Sequence, residues 1–263
     1  MAAVFVVSLY CLSAQAFAAL LVPLILVAGW EWSNLCRLET PILKTGFLLL
    51  LFVCLTLTGF WLDFFGNVDE QSARQVLLLA VALWGLNLFL LMSYPRNQRF
   101  LSWRPLVALI GLLALSVTWG AVVVLLSMQQ GTSILLLGVG VVVCADVGGY
   151  FGGKFFGRRQ LAPSVSPGKT WEGLVCGLLA QVVVVVIAVA APLGMPLELL
   201  LLWVLPVALF SVLGDLFESM LKRHGKIKDS SQLLPGHGGI LDRIDGIMAA
   251  LPLYALLVIT RPV

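Results

Sequence analysis

Asp242 and Asp245 stand three residues apart in G-I-L-D-R-I-D-G, so on a helix both carboxylates leave the same side. Paired oxygen donors of this kind can hold a hard cation while leaving positions for phosphate oxygens. Arg243 between them points elsewhere and can neutralise an anion. Upstream lie Asp215 and Glu218, with Lys222 one turn beyond Glu218 on the same helical face. His237 falls in P-G-H-G-G, where the flanking glycines let backbone come close to a ligand. A second cluster reads L-A-P-S-V-S-P-G-K-T-W-E-G. Pro163 and Pro167-Gly168 break any helix there and leave Lys169 on a turn just before Thr170, Trp171 and Glu172. Such a turn brings Ser166, Lys169 and backbone N–H groups toward a helix N-terminus, where an anion is favoured. A third feature is Asp146, in V-V-V-C-A-D-V-G-G-Y-F-G-G. Together these residues point to chemistry on a phosphate-rich, anionic substrate with a cation in attendance.

The elements that must position them are membrane helices. The chain has 263 residues, 60% hydrophobic and 11% charged, with a mean hydropathy of +1.05. Soluble domains are about 45–50% apolar and about 25% charged, so this composition excludes a water-soluble enzyme, a disordered segment and a nucleic-acid-binding domain. Apolar windows fall at 4–29, 45–62, 76–93, 106–128, 133–153, 173–191, 197–215 and 246–260. They are hydrophobic all round, which predicts lipid-buried helices rather than a membrane barrel. The expected fold is all-α: a polytopic transmembrane helical protein of about eight spans, or nine if 4–29 is a double crossing, forming one integral membrane domain over 1–263. The start has no Lys or Arg and too long an apolar run for a cleaved leader, so 1–29 reads as a retained anchor kinked at Pro23. Cys11, Cys36, Cys54, Cys144 and Cys176 are scattered and give no support to a zinc site or a disulfide framework.

Charge placement orients the spans. Alternate loops 31–44, 94–105, 154–172 and 216–245 hold fourteen of the sixteen Lys and Arg, and only Arg74 and Arg261 fall on the other side. By the positive-inside rule those loops are cytoplasmic and both termini lie outside. The other loops are short, and 192–196 is little more than a Pro-Gly turn. All long polar segments therefore share the cytoplasmic face, and chemistry belongs there. Asp146 costs about 2.5–3.5 kcal/mol within its span, which the Val, Ile, Leu and Phe around it offset by roughly 3–6 kcal/mol. An intramembrane carboxylate is a functional candidate, with a structural hydrogen bond as the alternative. Gly148, Gly149, Gly152 and Gly153 permit a close helix approach or a bend near the cytoplasmic end.

The stretch S-M-L-K-R-x-x-x-x-K-D-S-S-x-L-x-P-G-H-G-G-I-L-D-R-I-D, Ser219 to Asp245, resembles the signature of the phosphatidate cytidylyltransferase (CDP-diacylglycerol synthase) family. D-x-x-x-Y-x-x-G-x-x-F-G from Asp146 to Gly157 and S-P-G-K-T-W-E-G from Ser166 to Gly173 resemble it too, as does W-E-W at Trp30 to Trp32, more weakly. The specific part covers 144–257, the catalytic half. One departure is Gly246, where the family often has Ser.

The resemblance implies transfer of a cytidylyl group from CTP to phosphatidic acid, releasing pyrophosphate, in phospholipid biosynthesis. It implies a bacterial-type cytoplasmic membrane enzyme, Mg²⁺ alone or with a second cation, membrane lipid as surroundings, no nucleic acid, and a homodimer. Asp215, Asp242 and Asp245 are the expected metal carboxylates. Asp146 either joins them or orients a basic side chain. Lys222, Arg223, Lys228, Asp229, His237 and Arg243 are the expected catalytic and phosphate-contacting residues. Ser166, Lys169, Thr170, Ser219, Gly238 and Gly239 are the expected substrate contacts. No general base is required, because the lipid phosphate is already ionised, so His237 is expected to contact phosphate or base. Two alternatives remain at this point. A CTP-dependent polyprenol kinase would move the γ-phosphoryl group, and a cation-coupled transporter would use Asp146 and the C-terminal carboxylates as an ion path. The crowding of polar residues on one face of one half counts against the transporter.

Overall fold

The computed structural model describes residues 2–96, 98–189, 197–233, 236 and 238–260. Ten helices and one two-stranded hairpin follow in the order α1 (Ala2–Cys11), α2 (Ala14–Leu35), α3 (Pro41–Trp61), α4 (Glu70–Met92), α5 (Gln98–Leu101), α6 (Arg104–Ser127), α7 (Gly131–Phe156), β1 (Gln160–Ala162), β2 (Ser166–Thr170), α8 (Trp171–Val189), α9 (Leu197–Gly225) and α10 (Leu241–Ile259). Among the described helices, α2, α3, α4, α6 and α7 are long and apolar enough to cross a membrane. The segment 192–196 and Arg261 lie outside the described residues.

Local chemistry sets the helix starts. Ser13, Thr40 and Asp69 are in extended conformation and accept from the N–H groups of Ala16, Leu43 and Ser72, the usual role of N-cap side chains. The Ser13 cap divides the first window into two helices. The break falls at Leu12–Ser13, while α2 continues through Pro23. The described α1 has ten residues, about 15 Å at ~1.5 Å per residue, half of a bilayer core of about 30 Å. The first window thus covers parts of two helices, the short α1 and the longer α2.

α6 is the central post, buried along most of its length against α2, α3, α4 and α10. Its neighbours attach through indoles. Trp32 donates to the Val107 carbonyl (2.9 Å) and Trp119 to that of Ala18 (2.9 Å). Gly111 makes room for the first of these, since a Cβ there would overlap the Trp32 ring. A third junction depends on Pro252, which lies inside α10 and has no N–H to give to the carbonyl four residues back. That carbonyl, of Met248, accepts instead from Trp84 Nε1 of α4 (3.0 Å) and Thr118 Oγ1 of α6 (3.1 Å).

The other side of the molecule is joined by small residues. A Cβ on Gly173 or Gly177 of α8 would meet the carbonyl oxygens of Gly149 and Ala145 at 2.7 Å, and one on Gly152 would overlap the Cys176 side chain. The α7 glycines therefore serve close helix approach, and α7 runs unbroken through them.

Hydrogen bonds tie several of the described connections together. Arg37 donates to the His224 carbonyl, Ser102 Oγ lies 3.2 Å from His224 Nε2, and Arg223 Nε donates to the Val165 carbonyl (3.3 Å). The segments following α2, α5 and β1 thus meet the last turn of α9. Gln15, at the start of α2, donates to the Phe64 carbonyl (3.3 Å) in the α3–α4 connection.

Candidate active site

A cavity of about 720 Å³ lies among α7, α8, α9, β2 and the start of α10. Asp146 comes from α7, Lys169 and Thr170 from β2, Asp215 from α9, and Asp242, Arg243 and Asp245 from α10. Lys154 and Tyr150 of α7 line the cavity too, and much of the remaining wall is apolar, including Val143, Val147, Leu174, Leu178, Ala208 and Val212. Gly149, Gly153, Gly173 and Gly177 line it as well, so the residues that let α7 and α8 touch also shape the chamber.

Opposite charges are interleaved within it. Lys169 Nζ lies 2.6 Å from Asp215 Oδ2, and Ser219 Oγ donates to Asp215 Oδ1 (3.3 Å). Lys222 Nζ bridges Asp242 Oδ1 (2.6 Å) and Glu218 Oε2 (3.0 Å), the one-turn spacing expected for Glu218 and Lys222. Asp242 Oδ2 accepts from Gly239 N (2.8 Å), Ser230 Oγ (2.8 Å) and Ser230 N (3.0 Å). Asp242 thus anchors the α9–α10 loop, and its Oδ1 reaches a cation only if Lys222 moves. Asp245 Oδ1 accepts from the Gly246 N–H (2.7 Å).

Lys169 does not sit on a turn. It lies on β2, which pairs antiparallel with β1, Gln160 opposite Thr170 and Ala162 opposite Ser166. Glu172 Oε2 closes the base of this hairpin by accepting from Arg158 N (3.0 Å) and Arg159 N (3.2 Å), and these hydrogen bonds hold its carboxyl below the usual value. Thr170 Oγ1 accepts from Gly173 N (3.1 Å) in the first turn of α8. Strand and cap together deliver Lys169 to the cavity beside a helix N-terminus.

Of the residues expected from sequence, Asp146, Lys169, Thr170, Asp215, Asp242, Arg243 and Asp245 converge on the cavity. Ser219 and Lys222 reach it through the carboxylates that they hold. Arg223 braces the hairpin through Val165. Ser166 is a ladder residue of the hairpin, and Lys228 and Asp229 are exposed on the loop after α9. Gly238 and Gly239 press against Asp242 and, for Gly239, against Ser230 and Glu31. His237 lies outside the described residues. Sequence reasoning passed over Glu31, Ser230 and Ser231. Glu31 is buried on α2 and accepts from Ser231 Oγ (2.5 Å), Ile240 N (3.0 Å) and Leu241 N (2.6 Å). Its only signal was a lone acid between two tryptophans.

Whether the donors suit Mg²⁺ can be judged from their chemistry. Among the described residues, no group of three or more His, Cys, Asp or Glu could close a metal site alone. Mg²⁺ does not ask for that: it keeps several waters and takes one or two carboxylates plus substrate phosphates. Asp146, Asp215 and Asp245 line one cavity and carry hard oxygens of the kind such an ion takes one or two of, with Asp215 Oδ2 held by Lys169.

Comparison with known proteins points the same way. A family model described as the cytidylyltransferase family matches residues 1–260. The chain is 41% identical over 256 residues to the phosphatidate cytidylyltransferase of Haemophilus influenzae, covering 91% of this chain and 88% of that protein. It is 39% identical over 252 residues to that of Pseudomonas aeruginosa, covering 94% and 89%. It is 45% identical to that of Bacillus subtilis over 131 residues, 49% of each chain. With charged cavity residues on matched helices and a match spanning nearly its whole length, this chain belongs to the cytidylyltransferase family.

Proposed function

We propose that this chain transfers the cytidylyl group of CTP to phosphatidic acid, forming CDP-diacylglycerol and pyrophosphate. The observation that carries the reading is the mixed lining of one cavity: Lys154, Lys169, Arg243 and four aspartates together with aliphatic side chains of α7, α8 and α9. A substrate with an anionic head and hydrocarbon tails matches both. Withdrawing the tails from lipid costs about 0.8 kcal/mol per methylene, which a reaction at the headgroup level avoids.

A phosphate oxygen of phosphatidic acid attacks the α-phosphorus of CTP, and the bond to the β-phosphate oxygen breaks in line. The attacking monoester is ionised at neutral pH, with a second pKa of about 6, so no proton need be removed. The task of the protein is alignment and charge neutralisation. Lys169 supplies a point charge from β2, and Arg243 can grip two oxygens from α10. Asp215 and Asp245, with Asp146 on the facing helix, would hold Mg²⁺. When bound, the ion would polarise the α-phosphate and shield the departing pyrophosphate.

Eight crossings, α2 to α4 and α6 to α10, place the Lys- and Arg-bearing loops together on the cytoplasmic side of a bacterial inner membrane, where CTP is available. The meeting of these loops at the last turn of α9 supports this orientation.

The test uses purified protein in detergent with phosphatidic acid, Mg²⁺ and CTP labelled at the α or γ phosphate. Label from the α position is expected in lipid. Entry of γ label instead would establish a kinase, and entry of neither would remove the enzymatic reading.

A further inference from the structure

We propose that Glu31 is a positioning residue for the transfer reaction, fixing the start of α10 and hence the aspartates it carries, from a helix that does not itself line the cavity. This rests on the reading of the cavity as the transfer site.

A helix leaves its first N–H groups without intrahelical partners. The residue at the N-cap of α10 is Ile240, which is in helical conformation and supplies no side-chain cap. Glu31 performs that role from α2, more than two hundred residues upstream: Oε1 takes the Ile240 N–H and Oε2 the Leu241 N–H. An acid at this end also complements the positive pole of the helix. Glu31 is fully buried, and none of the ion pairs among the described residues includes it. Its acceptor capacity goes to α10 and to the loop before it.

Two further contacts link that clasp to the site. Ser231 Oγ donates to Glu31, while the neighbouring Ser230 donates through both N and Oγ to Asp242 Oδ2. Adjacent residues of one loop thus hold the two carboxylates. Gly239 closes the arrangement, because a Cβ there would overlap both Ser230 Oγ and Glu31. Asn34, three residues after Glu31 on α2, adds a tie by donating to the Ser230 carbonyl (3.3 Å). Each residue turns a helix by about 100°, so even a partial rotation at the start of α10 swings Asp242 and Asp245 away from the cavity.

The experiment compares Glu31→Gln, Glu31→Asp and Ser231→Ala with the unaltered full chain in detergent. It measures kcat, KM for CTP, and hydrogen–deuterium exchange by peptide. Glu31→Gln puts an amide donor against the two N–H groups. It is expected to lower kcat about a hundredfold, the scale of an ångström misplacement. KM for CTP should stay within about threefold, because the lost interaction acts in the transition state. Exchange should accelerate in peptides covering 229–246 and not in α6 or α7. Glu31→Asp should recover part of kcat, and Ser231→Ala should lower it about tenfold, as loss of one charge-assisted hydrogen bond does. Near-normal kcat in Glu31→Gln, or exchange rising equally in every helix, overturns the proposal. If Glu31→Gln cannot be purified, unchanged kcat in Ser231→Ala overturns it. If the unaltered protein forms no CDP-diacylglycerol, the functional reading fails, while local exchange still decides whether Glu31 holds α10.

Discussion

α6 and α7 are neighbours of similar length, 24 and 26 residues, and both are strongly apolar, with mean hydropathies of 2.5 and 2.1. They use their few polar groups in opposite ways. On α6, Thr118 bonds to the carbonyls of Ala114 (2.7 Å) and Met248, and Trp119 to that of Ala18. On α7, Asp146 faces a chamber, and the glycines beside it bring α8 close. Hydropathy decides that both helices enter the membrane, and the partners of their polar atoms decide which becomes scaffold and which becomes site.

The contrast can be broken by substitution on either side. The largest effect is expected from Asp242→Asn and Asp245→Asn, which should each lower CDP-diacylglycerol formation on the order of a thousandfold, at the upper end for loss of one preorganised charge partner. Expression should be normal, and activity within tenfold of the original would take that carboxylate out of the reaction. Lys169→Met should cost about a hundredfold in kcat/KM for CTP, and an unchanged value would mean that the hairpin lysine serves only to hold Asp215. Gly177→Val should follow with a loss of about tenfold, since its side chain must push α8 away from the Ala145 carbonyl. Gly140→Val, on a part of α7 with nothing within 4 Å, is the matched control and should be silent. Equal losses in both would show that the α7–α8 approach is not special. The smallest effect belongs to the scaffold. Trp84→Phe should lower stability by about 0.6–1.7 kcal/mol, the range of hydrogen bonds between membrane helices, measured by thermal unfolding in detergent. Its turnover per folded molecule should stay within about twofold; a hundredfold fall would make α4 part of the site.

Much of this arrangement was legible in the residues. All-round hydrophobicity located the long helices, so the window 106–128 corresponds to Arg104–Ser127. The i, i+3 and i, i+4 spacings correctly put Asp242 with Asp245 and Glu218 with Lys222. Directions across space were less accessible. Nothing in S-P-G-K-T-W-E-G shows that Lys169 lies on a strand, because a short irregular ladder between prolines leaves no alternating pattern. The first window is long enough to hold two segments, and the small polar cap at Ser13 is where they divide. The bond from Arg223 Nε to the Val165 carbonyl joins residues far apart in the chain, which no local spacing announces. The close approach of Gly238 and Gly239 to the Asp242 carboxylate is a contact that the glycine-rich spacing alone does not specify. Glu31 needs a partner about two hundred residues away, which no local spacing can supply.

The carbonyl released by Pro252 has a meaning for the order of assembly. The chain is synthesised from its N-terminus, so α4 and α6 enter the bilayer before α10 exists. Until then the Trp84 indole lacks the Met248 acceptor that it meets in the finished protein. Hydrocarbon offers no substitute. α10 thus brings the acceptor to a donor already in place, and Pro252 leaves the Met248 carbonyl without an intrahelical claim on it. An interruption inside one helix therefore links the packing of α4 and α6 to the arrival of α10.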